Sequence, residues 1–186
     1  MNIEEKILLI LDLDETLIYA TENKLEIDHN FKYLDYFIYK RPFLTEFLIE
    51  MSKFFNLSVW STADDKYVSD IVEMIRPKEI DFEFIWGRSR CTMKRDFTLD
   101  KYIQEKRLKK IKNRGYTLEK SLIVDDSPEK TKDNFGNAIY VTPYNGDLND
   151  KELELLSTFL KTLEKVKNVR RIEKRGWKNK IITTPQ

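Results

Sequence analysis

The sequence predicts an α/β protein in which a parallel β-sheet is flanked by helices. Short, largely apolar runs, typical of buried strands, occur at residues 7–11, 57–60, 121–124 and 139–141. Segments with the three-to-four-residue apolar period of helices lie between some of these runs, and parallel strands need such crossover connections. A chain of 186 residues is long enough for one domain with a substantial core.

The composition excludes several classes of protein. The 33 basic and 32 acidic residues leave a net charge of +1, which gives no overall attraction to nucleic acid or to an anionic membrane. A single cysteine, Cys91, allows neither an intrachain disulfide nor a zinc site built from cysteines. No apolar run approaches membrane-spanning length, and the N-terminal run is too short for a secretory signal. We therefore expect a cytoplasmic protein with neither a membrane nor a nucleic-acid partner.

The first half of the chain predicts two helices that each lead into or out of a strand. Residues 19–30 are polar and irregular, and residues 33–39 alternate aromatic and polar residues, which predicts a short edge strand or hairpin. Pro42 suits the first turn of a helix. Apolar residues between 68 and 75 predict a second helix, which ends before a proline. The apolar stripe of the first helix consists of Phe43, Leu44, Phe47, Leu48 and Met51.

The second half predicts two strands and two helices beyond the apolar runs given above. Residues 82–86 and 91–93 are expected to form two short strands. Residues 101–113 predict a charged helix that ends near Gly115, and the apolar period between residues 153 and 166 predicts an amphipathic helix.

We predict one domain over residues 1–168, with a small β insertion at about residues 80–97. Residues 169–186 form a basic tail that contains a tryptophan. The simplest interpretation of this tail is a solvated helix end, and docking onto an acidic partner, including nucleic acid, is the alternative.

Polar side chains follow three of the predicted strands. The carboxyl ends of parallel strands meet at one edge of a sheet, where α/β proteins bind their ligands. Clustered carboxylates there would bind a hard cation such as Mg²⁺, and a hydroxyl and a lysine would hold a phosphate, which indicates phosphoryl transfer. The alternatives are a solvated turn for the first acidic pair and a helix N-cap for the last. The side chains are Asp12 and Asp14, then Ser61 and Thr62, then Asp125 and Asp126.

Several short motifs resemble those of the haloacid dehalogenase superfamily. Within it, their order resembles the small C-terminal-domain phosphatases, also called NLI-interacting-factor-like phosphatases. The resemblance runs from about residue 7 to about residue 160, and it implies a Rossmann-like parallel sheet of the haloacid dehalogenase type without a large cap domain. The motifs are DLDETL (12–17), KRPF (40–43), WSTA (60–63) followed by Lys66 and Tyr67, RSRC (88–91) and VDDSP (124–128).

The resemblance implies roles for the acidic residues. Asp12 would attack phosphorus to form an aspartyl-phosphate and would also bind Mg²⁺. Asp14 would act as general acid and then general base, and its backbone carbonyl would bind the metal. Asp126 would be a direct metal ligand, and Asp125 would hold the lysine and complete the charge network of the metal site. Some relatives have Asp-Asn at this last pair, so Asp-Asp adds one negative charge.

The resemblance also implies the groups that bind phosphate. Ser61 takes the place of the usual threonine, with Thr62 as the alternative, and Thr16 would support the turn at the phosphate site. Arg88 is either a phosphate or substrate contact or a solvated loop residue. For the lysine we choose Lys106, which best resembles the family's lysine at the start of a helix. The other candidates are Lys101, Lys109 and Lys110.

Three functions are therefore considered. The first is a Mg²⁺-dependent phosphatase that hydrolyses phosphomonoesters through an aspartyl-phosphate, with a phosphoserine or phosphothreonine protein as substrate. The second is a phosphatase of small phosphomonoesters or of nucleic-acid ends. The third is a phosphorylatable, receiver-like signalling domain, and the order of the motifs argues against it. The physiological substrate and the oligomeric state are not predicted.

Overall fold

The computed structural model describes residues 6–96 and 100–182, and its centre is a parallel sheet. Within these ranges the sheet has five strands in the order β10-β9-β1-β5-β6. This arrangement confirms the predicted α/β class, with helices packed against the sheet. The strands are β1 (Ile7–Leu11), β5 (Phe55–Trp60), β6 (Ile85–Trp86), β9 (Ser121–Asp125) and β10 (Ala138–Tyr140).

The register of the sheet brings three strand ends level with one another. Leu11, the last residue of β1, pairs with Val59 of β5 and with Val124 of β9. Every residue of β1 is buried, because both faces of the sheet are covered. The polar residues that follow these three strands therefore meet at one edge.

Different elements cover the two faces of the sheet. Leu9 and Leu11 pack into a cluster with apolar residues of the longer helices. Leu8 and Ile10 face the other side and pack against a 3-10 segment, Leu108–Arg114, and several aromatic side chains. Among the helices of the described ranges, none has the length and the apolar character that are needed to cross a membrane.

Three of the four predicted helices are present, with shifted ends. The first begins at Leu44 rather than at Pro42, because Phe43 before it adopts a left-handed conformation (φ 67°). The helix predicted to reach residue 166 already ends at Lys161. Within the described residues the α-helices are α1 (Leu44–Phe54), α2 (Asp65–Ile75), α3 (Pro128–Thr131), α4 (Glu152–Lys161) and α5 (Trp177–Ile182).

A three-stranded antiparallel sheet follows the turn after β1. Its strands are β2 (Ile18–Thr21), β3 (Phe31–Tyr33) and β4 (Tyr36–Lys40), in the order β2-β4-β3. The expectation of irregular structure from residue 19 is wrong for β2, because pairing with β4 satisfies its backbone groups whatever its local polarity.

The predicted helix over residues 101–113 is wrong in its first half. Residues Lys101–Glu105 form β8, which pairs with β7 (Thr92–Asp96) in an antiparallel hairpin. Helix-favouring lysine, glutamine and glutamate side chains misled the local interpretation, since cross-strand pairing decides the conformation. Only Leu108–Arg114 is helical, as a 3-10 segment, and Gly115 (φ 86°) ends it as predicted.

The predicted strand at residues 82–86 is shorter than expected and lies elsewhere. Ile85–Trp86 forms β6, which pairs with β5 at the edge of the central sheet rather than within an insertion. The hairpin of β7 and β8 is therefore the β-structure that is inserted between the WSTA motif (60–63) and the VDDSP motif (124–128).

The basic C-terminal segment packs against the body of the protein. Trp177 is only 4% exposed, its indole N–H donates to the carbonyl of Tyr140 over 2.8 Å, and its ring lies 5.6 Å from that of Phe159. Val169 is fully buried. The expected solvated helix end is therefore wrong for this segment, because its few apolar residues supply a buried face. The domain boundary at residue 168 stays a prediction.

Candidate active site

Asp12 lies in a tight turn directly after β1. Its backbone N–H continues the sheet by donating to the carbonyl of Val124 over 2.9 Å. The carbonyl of Leu13 accepts from the N–H groups of Leu17 and Ile18, and Glu15 adopts a left-handed conformation (φ 58°) within the turn. The turn thus fixes two carboxylates at the edge of the sheet, with the Asp12 side chain buried.

Lys106 places a fully buried ammonium group between two of the predicted carboxylates. Its Nζ contacts Asp12 Oδ1 and lies 2.6 Å from Asp125 Oδ2. Burial alone would lower the pKa of Lys106, but the two carboxylates outweigh it and raise the pKa, so the group stays charged. Of the candidate lysines, Lys106 is therefore the one that lies among the acidic residues, although it follows a strand instead of beginning a helix.

The acidic cluster at the site comprises Asp12, Asp125 and Asp126. One carboxylate oxygen from each lies within 4.8 Å of the others. Asp125 also accepts from the N–H of Ser127 over 2.9 Å, and burial raises the pKa of Asp125 although Lys106 favours its ionised form. Three converging carboxylate oxygens match the hard oxygen donors that Mg²⁺ prefers, so these residues fit that metal.

The side chain of Asp14 accepts hydrogen bonds from two residues outside this cluster. Its Oδ1 accepts a hydrogen bond of 2.6 Å from the phenol of Tyr67, and its Oδ2 accepts one of 3.3 Å from Ser61. Burial, together with the charge of Asp12, raises the pKa of Asp14, while the two hydrogen bonds act in the opposite direction. A carboxyl with a raised pKa keeps its proton to a higher pH than an ordinary aspartic acid does, which favours a role as general acid.

Two predicted hydroxyl groups contact the carboxylates. Thr16 Oγ1 donates to Asp12 Oδ2 over 3.3 Å, and both side chains are buried. Ser61 donates to Asp14 and accepts from the N–H of Ala63 over 3.0 Å. The structure therefore brings Thr16 and Ser61 to the acidic residues, whereas the backbone carbonyl of Thr62 accepts from Arg88.

Arg88 lies at the rim of the site. Its side chain is exposed, and its Nε donates to the carbonyl of Thr62 over 3.0 Å. The preceding Gly87 approaches the first turn of α2 so closely that a Cβ there would lie 2.3 Å from Asp65 Oδ1. Glycine is needed for this approach, which holds Arg88 beside the Ser61–Thr62 loop and outside the buried cluster.

Sequence reasoning assigned no role to three residues that the structure places at or under the site. Tyr67 and Arg41 occur within recognised motifs, so the motifs were the signal. Arg41 is buried and donates from Nη1 to the carbonyl of Thr16 over 3.1 Å. Lys130 lies 3.6 Å from Asp126 Oδ1. Its only signal was its position one helical turn after the last acidic pair.

The fold and the site define a protein of the haloacid dehalogenase type, with two aspartates in the turn after the first strand and an acidic pair at the end of a neighbouring strand. Within that class, the chain belongs to the NLI interacting factor-like phosphatases, since the family model matches residues 7–170. Both steps confirm the resemblance found in the sequence.

Two curated relatives illustrate the match. The chain is 31% identical over 172 residues to CTD small phosphatase-like protein 2 of Dictyostelium discoideum, covering 89% of this chain and 29% of that protein. It is 26% identical over 192 residues to Nuclear envelope morphology protein 1 of Saccharomyces cerevisiae, covering 92% of this chain and 42% of that protein. The chain thus spans less than half the length of either relative.

A solved structure shows the same fold. The fission yeast RNA polymerase II CTD phosphatase Fcp1 aligns with 95% of this chain and 62% of its own chain, with a TM-score of 0.57 and 16% identity. At this level of identity the likeness concerns the fold alone.

The expected cytoplasmic location is wrong in the light of these relatives. The Saccharomyces relative bears the name of a nuclear envelope protein, and another relative bears that of a mitochondrial inner-membrane translocase subunit. The expectation rested on composition and on the lack of apolar runs. Such features describe one folded domain and do not specify its compartment, because the relatives carry this domain within longer chains.

Proposed function

We propose that this chain is a Mg²⁺-dependent phosphatase that acts on phosphoserine or phosphothreonine in a protein. The observation that supports this most is the placement of Asp12. Its carboxylate contacts the buried ammonium of Lys106, and its oxygen lies within 4.8 Å of those of Asp125 and Asp126. Two residues along the same turn, Asp14 offers a carboxyl with a raised pKa. The proposed nucleophile and the proposed general acid would thus occupy one turn.

The reaction would proceed in two steps. A carboxylate oxygen of Asp12 attacks phosphorus, the bond from phosphorus to the ester oxygen breaks, and Asp14 gives its proton to the departing oxygen. Asp14 then takes a proton from a water molecule that attacks the aspartyl-phosphate. Phosphate leaves and the Asp12 carboxylate is restored.

The remaining residues would balance charge at the site and orient the phosphate group. Lys106 would offset the repulsion between the Asp12 and Asp125 carboxylates, and the Ser61 hydroxyl would donate to a phosphate oxygen. Mg²⁺, when bound by Asp12, Asp125 and Asp126 and by the Asp14 carbonyl, would supply positive charge against the phosphoryl oxygens. Arg88 at the rim would contact the substrate outside the buried cluster.

A phosphoprotein substrate is supported by the open surroundings of the site. Between the acidic motifs, the described residues form a three-stranded sheet and a hairpin beside the ordinary strands and helices of the sheet. Neither is a large cap that would enclose a small metabolite. Relatives named as CTD phosphatases support the same substrate class. The match to a phosphatase family also favours a hydrolase over a receiver-like domain.

The test is hydrolysis of an aryl phosphate with and without Mg²⁺, followed by a comparison of phosphopeptides with phosphorylated metabolites. We expect turnover that EDTA abolishes, loss of turnover in Asp12→Asn, and a preference for phosphopeptides. Retained turnover in Asp12→Asn would contradict the nucleophile assignment. A preference for metabolites or for nucleic-acid ends would support the second function instead.

A further inference from the structure

Lys130 is fixed at the site by its own backbone. In the short helix α3, its N–H donates to the carbonyl of Ser127 over 3.1 Å, and its carbonyl accepts from the N–H of Lys106 over 2.7 Å. Its ammonium lies 3.6 Å from Asp126 Oδ1, and its side chain is 20% exposed. Lys130 thus lies at the site, between the buried lysine and the solvent.

The two lysines form ion pairs with different members of the acidic cluster, although the charge of Lys130 also acts on Asp12 and Asp125. Lys106 forms ion pairs with Asp12 and Asp125. Within the described ranges, Lys130 is the residue that forms an ion pair with Asp126.

A bound Mg²⁺ and the Lys130 ammonium would need the same carboxylate. Asp126 is one of three residues whose oxygens converge within 4.8 Å. Two cations at one carboxylate repel each other, and partial burial weakens the screening by solvent. Metal binding would therefore require the ammonium to leave Asp126 or would be weakened by its charge.

We propose that Lys130 competes with Mg²⁺ for Asp126, which lowers the affinity of the site for the metal and neutralises Asp126 when the metal is absent. This inference rests on the proposed function, because it takes the acidic cluster to be the metal site. It makes Lys130 a positioning residue that sets metal affinity. An ordinary i,i+4 ion pair on a helix surface would instead contribute a little stability and leave metal affinity unchanged.

The test measures Mg²⁺ binding directly, by isothermal titration calorimetry of the whole chain without substrate. We expect Lys130→Met, which keeps the length of the side chain and removes its charge, to bind Mg²⁺ about fivefold more tightly than the wild-type chain. Lys130→Arg keeps the charge and should bind as the wild type does. Lys112→Met removes an exposed lysine of the 3-10 segment and should leave affinity unchanged.

A double-mutant cycle separates competition at Asp126 from a general effect of charge. In an Asp126→Asn background, we expect Lys130→Met to change Mg²⁺ affinity by less than about twofold, because the shared carboxylate has gone. Thermal unfolding in EDTA checks that each variant folds. If Lys130→Met does not fold, Lys130→Gln is used in its place.

Two results would overturn the inference. One is an unchanged or weaker affinity in both uncharged variants, and the other is an equal gain with and without the Asp126 carboxylate. The proposed function is tested separately by the wild-type chain. If it binds Mg²⁺ and turns over an aryl phosphate while Lys130→Met binds equally well, only the inference about Lys130 fails. If the wild-type chain binds no Mg²⁺, both fail.

Discussion

Tyr67 donates a hydrogen bond of 2.6 Å to Asp14, 53 residues earlier in the chain. Burial and the Asp14 carboxylate raise the pKa of Tyr67, so the phenol remains the donor. The bond ties the proposed general acid, in the turn after β1, to helix α2, and it occupies the Asp14 oxygen that Ser61 does not contact. The orientation of Asp14 therefore depends on α2.

Replacing Tyr67 with phenylalanine should slow hydrolysis most where the leaving oxygen needs a proton. A hydrogen bond to a charged group contributes roughly 1.5 kcal/mol, which corresponds to about a tenfold loss of rate. We expect that loss with phosphoserine peptides and a loss of less than about threefold with 4-nitrophenyl phosphate, whose leaving group departs without protonation. Steady-state kinetics with both substrates measures the difference.

Tyr33→Phe is the matched control for that variant. The Tyr33 ring packs edge-on against Tyr67 at 5.5 Å, but its hydroxyl donates to Asp70 rather than to Asp14. Removing the Tyr33 hydroxyl should lower the rate of hydrolysis only slightly, and by the same factor for both substrates. Equal losses on the two substrates in Tyr67→Phe would indicate that the hydrogen bond serves folding and not proton transfer.

Asp150→Asn should destabilise the fold through Arg41. The guanidinium of Arg41 is buried and donates to both oxygens of Asp150, over 2.8 and 2.7 Å. Removing the partner's charge leaves the buried cation in contact with backbone carbonyls, the Tyr144 ring and a neutral amide, at a cost of roughly 2–3 kcal/mol. Urea unfolding measures the loss. Glu73→Gln, in an exposed ion pair with Arg76, should change the free energy of unfolding little, and an equally small effect of Asp150→Asn would refute the prediction.

The same ion pair should give the stability a dependence on acid pH. Burial alone would raise the pKa of Asp150, but hydrogen bonds from Arg41 and from the N–H of Glu152 lower it below the ordinary value. A carboxyl whose pKa is lowered by folding contributes its full stability above its unfolded pKa of about 4, and loses it as the pH falls through the lower folded value. The difference in unfolding free energy between the wild type and Asp150→Asn should therefore shrink below about pH 4. A constant difference from pH 7 to pH 3 would contradict this.

Trp177→Ala should show that the basic C-terminal segment belongs to the folded body. The substitution removes a buried ring and its hydrogen bond to the carbonyl of Tyr140. The expected cost of about 3–5 kcal/mol should lower Tm by roughly 6–15 °C in scanning calorimetry. Arg175→Ala, an exposed neighbour that pairs locally with Glu173, should leave Tm almost unchanged. A similar Tm in both variants would mean that the segment is only loosely attached.

Four of the five strands of the central sheet could be predicted, because burial on both faces leaves apolar runs that need no knowledge of their partners. The positions of β2, β6 and β8 could not, since they depend on pairing with another segment, and most residues of β8 are polar or charged. The Lys101–Glu105 segment even has residues that favour helices, so local propensity pointed the wrong way.

The same distinction applies to the candidate site. Asp12, Asp125 and Asp126 lie at the ends of strands. The ends of parallel strands meet at one edge of the sheet, whatever the conformation of the loops that follow. Tyr67 and Lys130 contribute through side chains whose reach into the site depends on how α2 and α3 are oriented. The spacing of residues along the chain does not determine how these helices are oriented. The contacts of Tyr67 and Lys130 could therefore be identified only from the structure.

The hairpin of β7 and β8 pairs only with itself among the described strands, and the next residue after it is Lys106. Elements with few partners open more readily than a central sheet does. A transient opening of this hairpin would displace the ammonium that forms ion pairs with Asp12 and Asp125. The peripheral hairpin is thus joined directly, through the backbone, to the residue that balances buried negative charge in the interior.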